Sequence, residues 1–188
     1  MKIIVARYNE NIEWTKQFQN VIIYNKGTKL EEDGYNEIML DNVGREGHTY
    51  YKYIYDNYDD LDDYTVFLQG YPFDHSPNLV NNLSNFINNK ELNIDFEYLS
   101  EKILNSKLSG CRYAGRNLPL RRIYNLLFDE KKENMDFIFG AGAQFIVSKK
   151  QILKRPRDFY LKIVELLKDK IKPVEGYVIE RFHNIIFS

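Results

Sequence analysis

One cysteine among 188 residues, Cys111, excludes an intrachain disulfide and makes a reducing compartment the simplest setting. No base stands beside it in sequence, so it reads as a structural or incidental thiol rather than a nucleophile. Long apolar runs are also missing. Ile3-Ile4-Val5-Ala6 stops at Arg7, too short for a secretory core, and nothing approaches the ~20 residues of a membrane span. The expectation is a cytoplasmic chain without a transmembrane segment. Excess charge of one sign is lacking, with 26 Lys and Arg against 27 Asp and Glu, which argues against a nucleic-acid footprint. Repeats and low-complexity linkers are absent too, and the length suits a single domain over 1–188.

What is present alternates. Lys2 to Ala6 and Val21 to Tyr24 have the pattern of buried strands, Glu37 to Leu40 a weaker one, and Thr65 to Gln69 a strand bounded by Asp62-Asp63 and Gly70. Ile12-Glu13-Trp14 starts a short helix. Gly47 to Tyr58 predicts another, with Tyr50, Tyr51, Ile54, Tyr55 and Tyr58 in three-and-four spacing. Ser76-Pro77 is a helix start, with Ser as cap and Pro at the first helical position. A polar middle segment, Asn88 to Arg116, is expected to hold a short helix near Phe96 to Leu104. Helices are expected at Leu118 to Phe128 and Pro156 to Lys168, and a last helix or helix-to-strand turn at Ile179 to Phe187. Strand-like pieces at Phe137–Phe139 and Ala143–Val147 flank Gly140-Ala141-Gly142.

Early βαβ-like alternation with buried strands predicts an α/β three-layer sandwich around a mixed, mostly parallel sheet. Ligands of such sheets sit beyond the carboxyl ends of the strands. The polar breaks Arg7 to Asn11, Asn25 to Gly27 and Gln69 to His75 are therefore expected to converge on one rim. Arg45 in Gly44-Arg45-Glu46-Gly47-His48-Thr49 offers a fork of donors suited to phosphate oxygens, and the helix start adds backbone N–H groups. Each of these also has a plain structural reading: a capped helix, an Arg45–Glu46 pair, a turn at Asn25-Lys26-Gly27.

The chain resembles a domain family catalogued as of unknown function in fungi, bacteria and large DNA viruses. The segments that carry the likeness are Val5-Ala6-Arg7-Tyr8-Asn9-Glu10 with Trp14, Tyr24-Asn25-Lys26-Gly27, Asn42 to Tyr50, Phe67-Leu68-Gln69-Gly70 with Pro72-Phe73-Asp74-His75, Gly142-Ala143-Gln144-Phe145, Arg155-Pro156 and Glu180-Arg181. That family is similar in layout to the nucleotide-sugar-binding glycosyltransferase fold called GT-A, and a chlorella-virus glycosyltransferase domain looks like a relative. The resemblance implies transfer of a sugar from a nucleotide donor, UDP-linked, to a saccharide or other hydroxyl acceptor, with Mn²⁺ or Mg²⁺.

On that reading Tyr8 and Asn9 hold the nucleobase beside Arg7, while Asn25 and Lys26 meet the ribose or phosphate. Arg45 meets the diphosphate, and His48 either bonds a phosphate or orients a metal ligand. Gln69 stands at the end of the central strand, where Asp74 and His75 take the place of a metal-binding Asp-x-Asp that this position lacks. Gln144 contacts sugar hydroxyls. Glu180, with Glu175 as its competitor, is the base if the reaction inverts. A catalytically silent nucleotide- or sugar-binding module uses the same residues, and the missing Asp-x-Asp favours it. A metal-dependent phosphohydrolase needs a denser ligand set than three scattered histidines provide.

Overall fold

The computed structural model describes residues 1–88 and 92–188; residues 89–91 of the polar middle segment lie outside the described residues. A six-stranded mixed sheet forms the centre. Its first half is parallel: β1 (Lys2–Arg7) between β2 (Val21–Asn25) and β4 (Tyr64–Gln69), with β3 (Glu37–Met39) outside β2. β10 (Phe145–Ser148) runs antiparallel to β4, and β5 (Phe96–Tyr98) antiparallel to β10. The order across the sheet is β3-β2-β1-β4-β10-β5. The chain moves outward from β1 to β3 and then returns to the other side of β1 at β4. That reversal makes a switch point, where a crevice opens beyond the carboxyl ends of β1 and β4.

Alternation within the strands sorts side chains to two faces. Ile4, Phe67, Phe145 and Val147 pack into one cluster, while Ile3, Val5, Val66, Leu68 and Ile146 pack into another. The first face is covered by α1 (Arg45–Asp56), α3 (Leu120–Phe128), α5 (Arg157–Leu167) and α6 (Val174–Ile186), with the short α4 (Lys149–Ile152) leading out of β10. The second face is covered more thinly, by α2 (Leu79–Asn88) and a 3₁₀ turn at Glu13–Gln17 that carries Trp14. Among the described residues there are thus six α-helices, none of them long and apolar enough to cross a membrane.

Two small sheets project from this body. β6 (Ile103–Lys107) pairs with β9 (Asp136–Gly140), and β7 (Arg112–Tyr113) with β8 (Arg116–Asn117). The helix expected at Phe96 to Leu104 is instead two strands, β5 and the start of β6. Their partners, β10 and β9, lie 47–51 and 29–37 residues downstream, so long-range pairing decides what local periodicity left open. The two strand-like pieces around Gly140-Ala141-Gly142 belong to different sheets. α6 starts at Val174, earlier than the expected Ile179, and α2 starts at Leu79, beyond Ser76-Pro77. Ser76 is buried in the turn ahead of α2, its amide given to the Pro72 carbonyl.

Candidate functional site

At the switch point lies a cavity of about 540 Å³, lined by Arg7, Tyr8 and Glu10 from the β1 exit, Lys26 from the β2 exit and Gln69 and Tyr71 from the β4 exit. Asn42, Arg45 and Glu46 close it from the start of α1, and Ile171 and Lys172 from the turn ahead of α6. Tyr8 and Tyr71 keep 53% and 52% of their surface exposed there, flat faces suited to a base or sugar ring. Three expected exits therefore do meet. Asn9 turns away: it stands at φ 70°, accepts the Thr28 amide at 2.7 Å and lines a neighbouring groove instead.

The cations of the cavity are partly engaged with the backbone. Arg7 donates to the Glu10 and Thr28 carbonyls and to Asn25 Oδ1 at 2.9 Å. Asn25, fully buried, spends its amide on Thr28 and Glu37, so it is a brace beneath the rim. Lys26 Nζ donates to the Val43 carbonyl at 2.6 Å and to that of Arg45, fastening the loop before α1. Burial pulls its ammonium down to about 8. That loop is strained. Gly44 has φ 63° and Arg45 φ 54°, and a Cβ on Gly44 would sit 2.5 Å from His48 Cβ and 2.7 Å from the Leu167 carbonyl. The open helix start expected at Gly44–His48 is half occupied: Gly44 N–H goes to Lys170 O at 2.8 Å and Arg45 N–H to Ile171 O at 3.3 Å. The guanidinium of Arg45 lies over Tyr177, 4.3 Å from the ring centre, with Nε 3.4 Å from Glu46. His48 sits one turn in, buried and outside the lining, and burial pushes it down to about 4, so it is neutral near pH 7.

Behind Arg45 and Glu46 is Glu180 on α6. Its Oε1 accepts the Gly142 amide at 2.8 Å, and Oε2 lies 3.5 Å from Arg181. Burial, and after it repulsion from Glu46, raises its pKa above the usual carboxylate range, against the pull of Gly142 N–H, Arg181 and Arg45. The hydroxyl of fully buried Tyr50 lies within the field of the same three charges, Glu46, Glu180 and Arg45, and has no hydrogen-bond partner among the described residues. Glu175, the competitor, is held by Arg122 at 3.0 Å.

Asp74 is exposed and outside the cavity lining. The His75 ring packs on Gly142: a Cβ there would come within 2.5 Å of His75 Cδ2. Among the described residues no group of three or more His, Cys, Asp or Glu is arranged to hold a metal ion, so Asp74 and His75 stand without a third such side chain. Gln144 is wholly buried; its amide donates to the Pro72 carbonyl at 3.1 Å and its oxygen faces Ser76, which makes it a clamp on the β4–α2 loop. The third histidine, His183, lies in the core with Nδ1 2.8 Å from the Tyr51 hydroxyl.

Sequence reasoning gives no site role to Tyr71, Glu10, Glu46 or the 170–172 turn. The abundance of tyrosine hides Tyr71, though its place two residues past β4 marks it. The 170–172 turn has no local signal, because tertiary packing alone brings it to α1.

The chain matches, over residues 3–188, the model of a family described as a protein of unknown function (DUF3431), and belongs to that family. The description names no activity, so it bears on membership and not on glycosyl transfer. No curated protein and no solved structure matches the chain.

Proposed function

We propose that this member of the DUF3431 family is a GT-A-like glycosyltransferase that binds a nucleotide-sugar, UDP-linked, in the switch-point cavity and passes the sugar to a hydroxyl acceptor. One observation carries the reading: two exposed tyrosines, the cations Arg7, Lys26, Arg45 and Lys172, and the carboxylates Glu10 and Glu46 line one cavity beyond the carboxyl ends of β1 and β4. Tyr8 or Tyr71 stacks on the base, and the cations meet the diphosphate. Attack by the acceptor oxygen on the anomeric carbon breaks the bond to the diphosphate, which leaves with the electron pair. Glu180 takes the acceptor proton. A carboxylate whose pKa is raised by burial is better matched to that task than an exposed one. The donor set at Asp74 and His75 gives no reason to route a step through a divalent ion.

A silent nucleotide- or sugar-binding module is favoured by a different observation, the engagement of Arg7 and Lys26 with backbone carbonyls. Calorimetry with UDP and UDP-sugars, with and without Mn²⁺, alongside a hydrolysis assay, separates the two. Binding with slow donor hydrolysis supports the transferase; binding with none supports the module; no nucleotide binding ends both. In Glu180→Gln we expect donor affinity to be kept and turnover to fall by about 10²–10⁴-fold. Full turnover in that variant removes Glu180 as base.

A further inference from the structure

A second cavity, about 710 Å³, lies against β6, β9 and the β7–β8 hairpin, with Asn105, Lys107, Cys111, Arg112, Phe137 and Ile138 in its wall. Its wall connects to the first cavity through the Glu180–Arg181 pair. Arg181 Nε stands 3.3 Å from Cys111 Sγ on one side. On the other, Glu180 lies in the field of Arg45 and Glu46, which line the first cavity. The hairpin spans the same junction. The Tyr113 ring lies tilted against Tyr177, 4.5 Å between centres, and Tyr177 carries Arg45 on its ring.

Charge distinguishes this region. From Lys102 to Phe128 the chain carries Lys102, Lys107, Arg112, Arg116, Arg121 and Arg122 with no Asp or Glu, inside a chain of net charge −1. Lys107, Arg121 and Arg122 are answered by Asp136, Glu133 and Glu175. Arg112 and Arg116 are exposed and have no ion pair among the described residues. The tight Ala114–Gly115 turn, φ 48° and 78°, sets Tyr113 and Arg116 opposite each other on one face of the hairpin, with Arg112 and Asn117 on the other. Arg112 thus faces the second cavity while Tyr113 and Arg116 share the face that meets Tyr177.

We propose that the hairpin and the second cavity bind an anionic saccharide, a sugar bearing carboxylate or phosphate. Arg112, on the hairpin face toward the cavity, forks onto the anion, and Phe137 and Ile138 offer apolar faces to the rings. Its role as acceptor rests on the glycosyltransferase reading; the binding does not. Glu180, between the two cavities, is then the group that an acceptor hydroxyl approaches.

Calorimetry on the full chain tests this with a galacturonic acid trimer (carboxylate), glucose 6-phosphate (phosphate) and maltotriose (neutral), at low and high salt. We expect at least one anionic sugar to bind, more weakly as salt rises, and maltotriose to bind at least tenfold less well. Arg112→Gln should lose about tenfold or more in that affinity, with unchanged melting and unchanged UDP binding, while Arg116→Gln, on the opposite face, should leave it unchanged. Equal binding of maltotriose, no binding of either anionic sugar, or indifference to Arg112→Gln overturns the proposal. Anionic sugar bound without UDP binding defeats the donor reading and leaves this one standing; UDP bound without anionic sugar does the reverse.

Discussion

Lys26 shows how one side chain can be read in two ways. Its place at the β2 exit suggests a phosphate contact, yet Nζ already holds the carbonyls of Val43 and Arg45. A neutral amine still donates to both, which is why the low value near 8 is tolerated. The consequence for stability has a definite sign. Between pH 8 and about 10.4, the unfolded lysine binds a proton that the folded one has released. The unfolded state then carries more protons, so stability from this group rises with pH across that window. Lys26→Met should flatten the rise and, by stranding two carbonyls, cost about 1–3 kcal/mol at pH 7.5. Denaturant unfolding of both proteins at pH 7.5, 8.5 and 9.5 checks it; parallel pH profiles would show that Lys26 is charged and solvated instead. Tyr50 is the other residue whose setting matters, because a buried hydroxyl without a partner beside two carboxylates is costly unless something completes it.

Among the elements, the Gly140–Ala143 link between β9 and β10 connects the loop of His75 to the carboxylate of Glu180. Gly142 stands at φ 86°, its amide on Glu180, and Ala143 comes next at φ 56°. Gly142→Ala must push His75 or Gln144 aside, since its Cβ would meet them at 2.5 and 2.7 Å. We expect roughly 1–3 kcal/mol lost from backbone strain alone and, on the proposed glycosyltransferase reading, turnover falling more than UDP affinity. Unfolding and calorimetry decide it, and a variant of native stability would mean that the link relaxes freely. The strands of the switch point are legible in the sequence because β1, β2 and β4 are short apolar runs ended by polar turns, and α1 because its tyrosines recur at helical spacing. The exits Arg7, Lys26, Gln69 and the loop residue Arg45 are legible for a related reason: topology gathers the residues just past the ends of neighbouring parallel strands. Asn25, His48 and Gln144 are not, because a polar residue beside a cavity and one buried beneath it look alike in sequence. β5 and β6 pass for a helix because their partners are remote, and the 170–172 turn carries no pattern of its own.

Taken whole, the molecule is two apolar layers built on the same strands. Neighbouring residues of β1, β4 and β10 point alternately into the two clusters, so neither layer can come away without undoing the sheet that holds the other. The layers are unequal. One rests under α1, α3, α5 and α6, the other mainly under α2, through Leu79 and Leu83, and the 3₁₀ turn with Trp14. If the shared strands make one cooperative unit, damage to the thin layer must register everywhere at once. Leu83 is fully buried, and Leu83→Ala should cost about 2–5 kcal/mol. Trp14, the single tryptophan, packs edge-on to Phe73 at 5.7 Å within the thin layer, so its fluorescence reports that layer alone. Far-ultraviolet circular dichroism is dominated by the helices of the thick one. In Leu83→Ala the two transitions should move together to lower denaturant and stay superimposed. A Trp14 transition that precedes the loss of helix would divide the chain into two folding units and refute the shared-strand account.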